Sequence, residues 1–389
     1  MEQPGTPRLR AFAALSLWLG IVGFGGGFAV AQRIRRTVVE ERGWLSDATF
    51  IEHFSVASAL PGTTATNLLT LLGARFGGLS GATLGAAAFL APSVILMIAF
   101  GAAYSRVRGV HALAAFLDGM SFATVGVVAA VAVDMRRTAV KSRLQFAIAA
   151  GAAVVLAMHW MTLLEVVAIA GLLGALILRD RALPPPPQEA TLERHSFPPS
   201  RSPLSLALLP PLLVSMSVSL SLFFVFARIG AATFGGGFAM IPTIEHEVVT
   251  VKGWLGEGAF NDAMVLGQVT PGPVAIAATF IGYRVAGLVG ALAATLGMFG
   301  PPFLLSIIVA RSLEAFRGSA VVQGFLRGIS PAVVGIIAAA AVSLWGTTAH
   351  SWFAAAEAFA TFVLLARLPK LSPLIPLAAA GALCAAVRH

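Results

Sequence analysis

Apolar residues fill this chain in long runs, and the polar positions collect in a few short islands. The runs at 85–104, 112–133, 161–178, 287–310 and 329–345 reach or approach the length an α-helix needs to cross a bilayer core, roughly 20 residues. The pattern predicts an all-α integral membrane protein. Composition agrees: 58% of the 389 residues are hydrophobic and only 11% are charged, where a soluble domain carries about a quarter. Lipid must therefore cover most of the surface. A net charge of +9 would suit a nucleic-acid partner, yet the arginines sit in short loops between apolar runs rather than on a polar domain. Placed so, they record orientation in a membrane. The single cysteine, Cys384, excludes an internal disulfide framework and a thiolate metal cluster. No small-residue cleavage pattern follows the first apolar run, which is expected to remain a membrane segment.

The chain repeats itself. Phe24-Gly25-Gly26-Gly27-Phe28-Ala29 returns 210 residues later as Phe234-Gly235-Gly236-Gly237-Phe238-Ala239, and Gly43-Trp44-Leu45 returns as Gly253-Trp254-Leu255. Over 24–45 against 234–255, 12 of 22 positions are identical, and Pro61-Gly62 recurs as Pro271-Gly272. After one gap the offset becomes 209. Arg75 then matches Arg284, Pro92 matches Pro301, and 9 of 15 positions agree between 116–130 and 325–339. Shared apolar bias would not hold one register through Gly, Pro, Trp and Arg. The duplication divides the chain into an N-terminal repeat, 1–180, a proline-rich linker, 181–203, and a C-terminal repeat, 204–389.

Loop charges predict how the copies face. The loop after the first triple glycine holds Arg33, Arg35, Arg36 and Arg42, while its counterpart holds Thr243, Glu245, His246 and Lys252. Under the positive-inside rule the copies should have inverted topology, which requires an odd number of crossings each. About five transmembrane helices per copy fit: 11–31, 78–104, 112–133, 144–158 and 161–178, with 45–76 as an intramembrane hairpin turning at Pro-Gly. Inverted repeats are the usual build of secondary transporters. Arg8, Arg10, Arg106 and Arg108 fall on the wrong side of this scheme.

Four features could carry chemistry. The triple glycines, Gly25 to Gly27 and Gly235 to Gly237, permit either a helix break or a very close backbone approach. Pro271-Gly272-Pro273 ends one helix and starts another near Val274, with Pro61-Gly62-Thr63 as its partner. A helix start exposes unpaired N–H groups, so two of them meeting would form an anion site, to which Thr63, Thr64, Thr66 and Asn67 add donors. A plain kink is the alternative. Arg75 and Arg284 follow the two turns; they could balance an oxyanion or snorkel to the headgroups. Glu52 aligns with Asp262, giving each copy a carboxylate that could couple transport to protons or merely line a polar face. Glu40, Glu41, Glu245 and Glu247 read as loop charges. No Walker loop, HExxH, Cys/His metal spacing or Ser/His/Asp set occurs, which argues against an enzyme, a cofactor and a bound metal.

The ordered set of Phe-Gly-Gly-Gly-Phe, Gly-Trp-Leu, Pro-Gly-Pro and Gly282-Tyr283-Arg284 resembles the chromate ion transporter family, in its long two-domain form. The likeness covers about 11–135 and 220–345. It departs in the first copy, where Thr63 replaces the second proline and Ala74 the tyrosine. The resemblance implies a carrier in the bacterial inner membrane that exports chromate, driven by the proton motive force, with sulfate as a structural analogue. The expected partners are a small inorganic anion, the lipid bilayer and, as an option, a second copy of the chain, but no nucleic acid. Two rivals stand beside this reading. A proton- or sodium-coupled carrier of another solute, neutral or cationic, would lean on Glu52 and Asp262. A membrane-embedded enzyme or scaffold would need a catalytic constellation that the segments lack.

Overall fold

A computed structural model describes residues 7–23, 26–158, 160–177, 211–234, 237–311, 319–348, 351–368 and 371–387, and every regular element among them is helical. Gly25, Gly235, Gly236 and the linker at 181–203 lie outside the described residues. The first half contributes α1 (Leu9–Val22), α2 (Gly26–Arg35), α3 (Asp47–Ala59), α4 (Thr64–Gly109), α5 (His111–Ala139), α6 (Arg143–Ala157) and α7 (Leu163–Ile177). The second contributes α8 (Pro211–Ala232), α9 (Ile241–Glu245), α10 (Glu257–Val269), α11 (Ala277–Ala310), α12 (Ala320–Thr348), α13 (Trp352–Arg367) and α14 (Leu374–Val387). Local signals explain several boundaries. Ser46 caps α3 by accepting from the Thr49 N–H, and Ser142 with Gln145 forms a capping box on α6. α2 and α9 each run on into one π-helical turn, Arg36–Glu41 and His246–Val251.

The longest helix of each half is two helices in fact. Gly77 and Gly78 leave the helical region in α4, with Gly78 at φ 60°, and Ala286 and Gly287 do the same in α11, with Gly287 at φ 61°. The bend folds the first piece of α4 back along the second, so that Gly73 meets Gly81 and the Leu69 carbonyl faces Gly85. Gly282 meets Gly290 in the same way. Small residues let these backbones touch.

Four stretches are long and apolar enough to cross a membrane: Thr64–Arg106, His111–Arg137, Val274–Ala310 and Ala320–Gly346. Two belong to each half, so the protein is a multi-pass integral membrane protein. Their outward faces are apolar, with Ile95 66% and Ile308 63% exposed, as lipid requires. Trp160 and Trp352 sit almost bare at helix ends, where indoles favour the headgroup layer.

The expected count of five crossings per half needs correction at its first member. Segment 11–31 is not one helix: α1 stops at Val22, Gly23 is non-helical, and α2 starts at Gly26. The rings of Phe12, near the start of α1, and Trp44, beyond α2, both pack on Phe76, with centroids 5.3 and 6.1 Å away. The chain from α1 to Trp44 therefore doubles back rather than passing through. α6, α7, α13 and α14 are apolar but only 14 to 16 residues long.

The halves interlock. α6 and α7 of the first half pack on α12 of the second, and α13 and α14 of the second pack on α5 of the first. The contacts repeat in register: Gly126 meets the Ala358 carbonyl and Gly335 the Ala149 carbonyl, while Gly119 meets Ala380 and Gly328 meets Ala170. α4 and α11 also lie together, with Tyr283 against Gly101.

Candidate functional site

Each Pro-Gly turn is bonded to the other half. The Gly62 N–H donates to the Thr233 carbonyl at 2.6 Å, and the Gly272 N–H donates to the Gly23 carbonyl at 3.0 Å. Thr233 and Gly23 are the residues that precede the two Phe-Gly-Gly-Gly-Phe motifs, so a turn from each half fastens to the helix end of the other. Gly62 and Gly272 have φ of 94° and 109°, where a side chain is strained. A Cβ at Gly62 would stand 2.6 Å from Pro302 Cβ, and one at Gly272 would stand 2.5 Å from Ser93 Oγ. Ser93 and Pro302 correspond at the 209 offset. Gly237 in turn packs on Val274, at the start of the helix beyond the second turn.

The two turns differ in side-chain chemistry. In the first, Asn67 Nδ2 donates to the Pro61 carbonyl at 2.7 Å and the Thr63 hydroxyl donates to Thr66 Oγ1 at 2.8 Å. Thr63, Thr66 and Asn67 are buried, while Thr64 is partly exposed. In the second, Pro273 precedes the 3-10 turn Val274–Ile276, and apolar groups replace the threonines. Polar atoms come from elsewhere instead. Gln268 Nε2 donates to Thr124 Oγ1 at 3.2 Å, leaving Gln268 Oε1 without a hydrogen-bond partner. Thr270 Oγ1, beside Pro271, and Ser93 Oγ, against Gly272, are buried and also unpartnered. An unpartnered buried hydroxyl costs about 1–3 kcal/mol, so a polar ligand beside this turn would recover part of that cost.

The arginines expected at the turns stand apart from them. Arg75 lies 11 residues beyond Thr64 on one helix, roughly 16 Å along its axis, and is exposed. Arg284 lies ten residues past Val274, with its guanidinium 4.9 Å over the Tyr104 ring and Nη1 3.4 Å from Ser105 Oγ.

Sequence reasoning missed a second polar centre. Asp262 is fully buried, and Arg108 of the other half grips both its oxygens, Nε to Oδ2 and Nη2 to Oδ1, each at 2.7 Å. Arg108 Nη1 also reaches Asp118 at 2.9 Å, and the Tyr104 hydroxyl donates to Asp262 Oδ2. The signal was present in the sequence: Arg108 was a cation that defied the charge-orientation scheme. Glu52, the counterpart of Asp262, is partly exposed on α3.

The loops beyond the triple glycines also hold more than surface charges. Glu247 pairs with Arg228 at 2.8 Å. Glu245 is half-buried and accepts from the Ser343 hydroxyl on α12, and burial, with Glu257 nearby, pushes its carboxyl up to about 7. A cavity of about 210 Å³ opens beside this loop, between Thr162, Glu165, Arg228, Thr243 and His246, away from the turns.

Comparison with known proteins bears on the whole chain. The chromate transporter family model matches residues 11–175 and again 220–385. A chromate transport protein of Cupriavidus metallidurans is 32% identical over 378 residues, covering 97% of this chain and 92% of its own. One from Pseudomonas aeruginosa is 31% identical over 94% of this chain and 89% of its own. A probable chromate transport protein of Synechococcus elongatus is 32% identical over 88% and 86% respectively. No solved structure matches. These relatives are named as transporters rather than enzymes, and since both halves match separately, the chain belongs to the chromate transporter family.

Proposed function

We propose that this protein is a secondary active transporter that exports chromate across the bacterial cytoplasmic membrane, coupled to the proton motive force. The observation that carries the reading is the reciprocal bonding of the turns, Gly62 to Thr233 and Gly272 to Gly23. It fastens each turn to the helix end that precedes the other half's triple glycine, and irregular backbone at membrane depth is tolerated where it is buried in protein or lines a cavity. The oxyanion would bind there. Backbone N–H groups at the starts near Thr64 and Val274, with Pro271, Gly272 and Pro273 shaping the turn, would supply donors, and so would the hydroxyls of Thr63, Thr64 and Thr66. Ser93 and Thr270, at the second turn, have hydroxyls without partners and join this set. The Asn67 amide already holds the Pro61 carbonyl, so its role is to fix the turn. Arg75 and Arg284, each about 15 Å out along its helix, would act on the anion at entry or exit.

Two repeats, 1–180 and 204–389 around the linker 181–203, would be inverted with respect to each other. Supporting this, Tyr283 takes the place in its half that Ala74 takes next to the Gly77 bend, yet it packs on Gly101, far beyond the bend in the other half. The starting end of one long helix thus meets the finishing end of the other. Intramembrane Pro-Gly hairpins would rock against the scaffold at Gly25 to Gly27 and Gly235 to Gly237. Glu52 and Asp262 are the proton-coupling candidates. Sulfate, a tetrahedral dianion like chromate, would compete, and a homodimer is compatible with the broad apolar surface.

The test is flux of labelled chromate in proteoliposomes with and without an imposed pH gradient. Gradient-dependent movement blocked by excess sulfate is expected. No chromate movement by folded protein would sink the proposal and turn attention to other solutes.

A further inference from the structure

Arg108 makes the same two-point contact with Asp262 that a guanidinium makes with an oxyanion substrate. The fork comes from the end of α4 in the first half, and the carboxylate comes from α10 in the second. A second guanidinium, Arg284, lies over the neighbouring tyrosine, 4.9 Å from the Tyr104 ring, so cations from both halves flank one cluster. α10 then runs from Asp262 to Val269, seven residues and roughly 10 Å along its axis, and Gly272 follows three residues later. A buried ion pair of this kind is weak evidence for stability, because apolar residues of the same volume often serve as well. The pair therefore calls for another explanation.

We propose that Arg108, with Arg284 beside it, forms an outer station for the transported oxyanion, and that Asp262 occupies the fork as a built-in substitute anion until the substrate displaces it. This rests on the oxyanion-carrier reading. A tetrahedral dianion presents two oxygens to Nε and Nη2 as the carboxylate does, and carries twice its charge. Displacement reduces the tie between α10 and α4 from three hydrogen bonds to the one from Tyr104, which loosens the second Pro-Gly turn as the anion arrives or leaves. The displaced Asp262 keeps the Tyr104 hydroxyl as a donor, which limits the cost of a buried carboxylate that has lost its cation. Asp118 holds Arg108 Nη1 at 2.9 Å throughout and keeps the fork pointed at the same spot. The second half has Arg327 at the position of Asp118, so the two ends of the carrier are not chemically equivalent.

The experiment is chromate and sulfate flux at a series of concentrations in proteoliposomes, with three variants of the full chain. Asp262→Asn removes the competing anion but keeps its shape, and KM for chromate in exchange without a pH gradient, where proton coupling is not needed, should fall about tenfold. Arg108→Gln should raise KM by a similar factor. Because that change leaves Asp262 buried and unpaired, the charge-balanced R108Q/D262N protein is the companion: it should fold, yet keep the raised KM. An unchanged or raised KM in Asp262→Asn would overturn the proposal. Should that variant not fold, a wild-type KM in the double variant would overturn it equally. Absence of flux in the wild-type protein would sink the carrier reading itself, a result distinguishable from either.

Discussion

The loop that follows the triple glycine uses one backbone in both halves and opposite charges. In the first half Arg35 stands between two carboxylates, 2.7 Å from Glu40 and 2.7 Å from Asp47. At the matching positions the second half has Glu245 and Glu257, so a carboxylate replaces the cation and faces another carboxylate. Each loop ends in the same π-turn and the same Gly-Trp-Leu with its glycine at φ 58°. Electrostatics can diverge while the fold persists, because backbone geometry and buried apolar groups such as Ile34, Val38, Ile244 and Val248 fix the loop. The Pro-Gly turns follow the same rule: their reciprocal bonds recur in both halves while Thr63, Thr64, Thr66 and Asn67 give way to Pro273, Val274, Ile276 and Ala277. A duplicated frame thus carries two chemically distinct halves.

The sharpest way to break the comparison is at the shared turns. Gly62→Ala and Gly272→Ala each force a side chain into a backbone region that costs about 1–3 kcal/mol. The new Cβ at Gly62 meets the rigid Pro302 ring at 2.6 Å, whereas at Gly272 it meets Ser93 Oγ, which can rotate away. Both variants should lose stability, Gly62→Ala by about 3–5 kcal/mol and Gly272→Ala by about half of that. Thermal unfolding in detergent reads the difference. Equal losses would mean that backbone strain alone, and not the neighbour across the interface, sets the requirement for glycine.

The next effect is at Glu245. Its carboxyl is pushed up to about 7, by burial first and by Glu257 second. A carboxyl whose folded value exceeds its unfolded one holds its proton longer in the folded chain, so stability declines as pH rises from 4.5 to about 7 and then levels. Glu245→Gln removes that decline, and its amide oxygen can still accept from Ser343. Near pH 4 the variant should match the wild-type protein. At pH 8 it should be more stable by about 1–2 kcal/mol, allowing for partial exposure. Identical melting curves at pH 8 would show that water reaches Glu245 freely.

Much of this was legible in the sequence, and the parts that were not have physical reasons. The duplication and the helix ends at both Pro-Gly pairs follow from residues that act locally. Phe12 and Trp44 meeting on Phe76 could not be read, because a hydropathy run has no direction and 11–31 looks like a crossing. Arg108 and Asp262 are 154 positions apart and lie in different halves, so internal alignment pairs neither with the other. What the sequence did offer was misfit: a cation on the wrong side of the orientation scheme. Arg75 and Arg284 were placed too near the turns because spacing along the chain was not converted to distance along a helix, roughly 1.5 Å per residue.

The smallest effect gives the finest test of the comparison. Arg35 and Asp47 are exposed, at 40% and 47% of their side-chain surface, so solvent and salt screen their pair. The hydrogen bond from Arg35 holds the Asp47 carboxyl below its ordinary value of 3.8. A lowered carboxyl contributes stability above that value and loses it as pH falls through the folded one. Asp47→Asn should therefore lower the melting temperature slightly at pH 7 in dilute salt, and the loss should vanish in 1 M salt and at pH below about 3. Glu245→Gln in the other half makes the same chemical change, acid to amide, in an equivalent loop. The expected signs are opposite: a small loss in the first half, a larger gain in the second at pH 8. Shifts of one sign in both would mean that the inherited backbone, rather than the reversed charges, governs how each loop responds to pH.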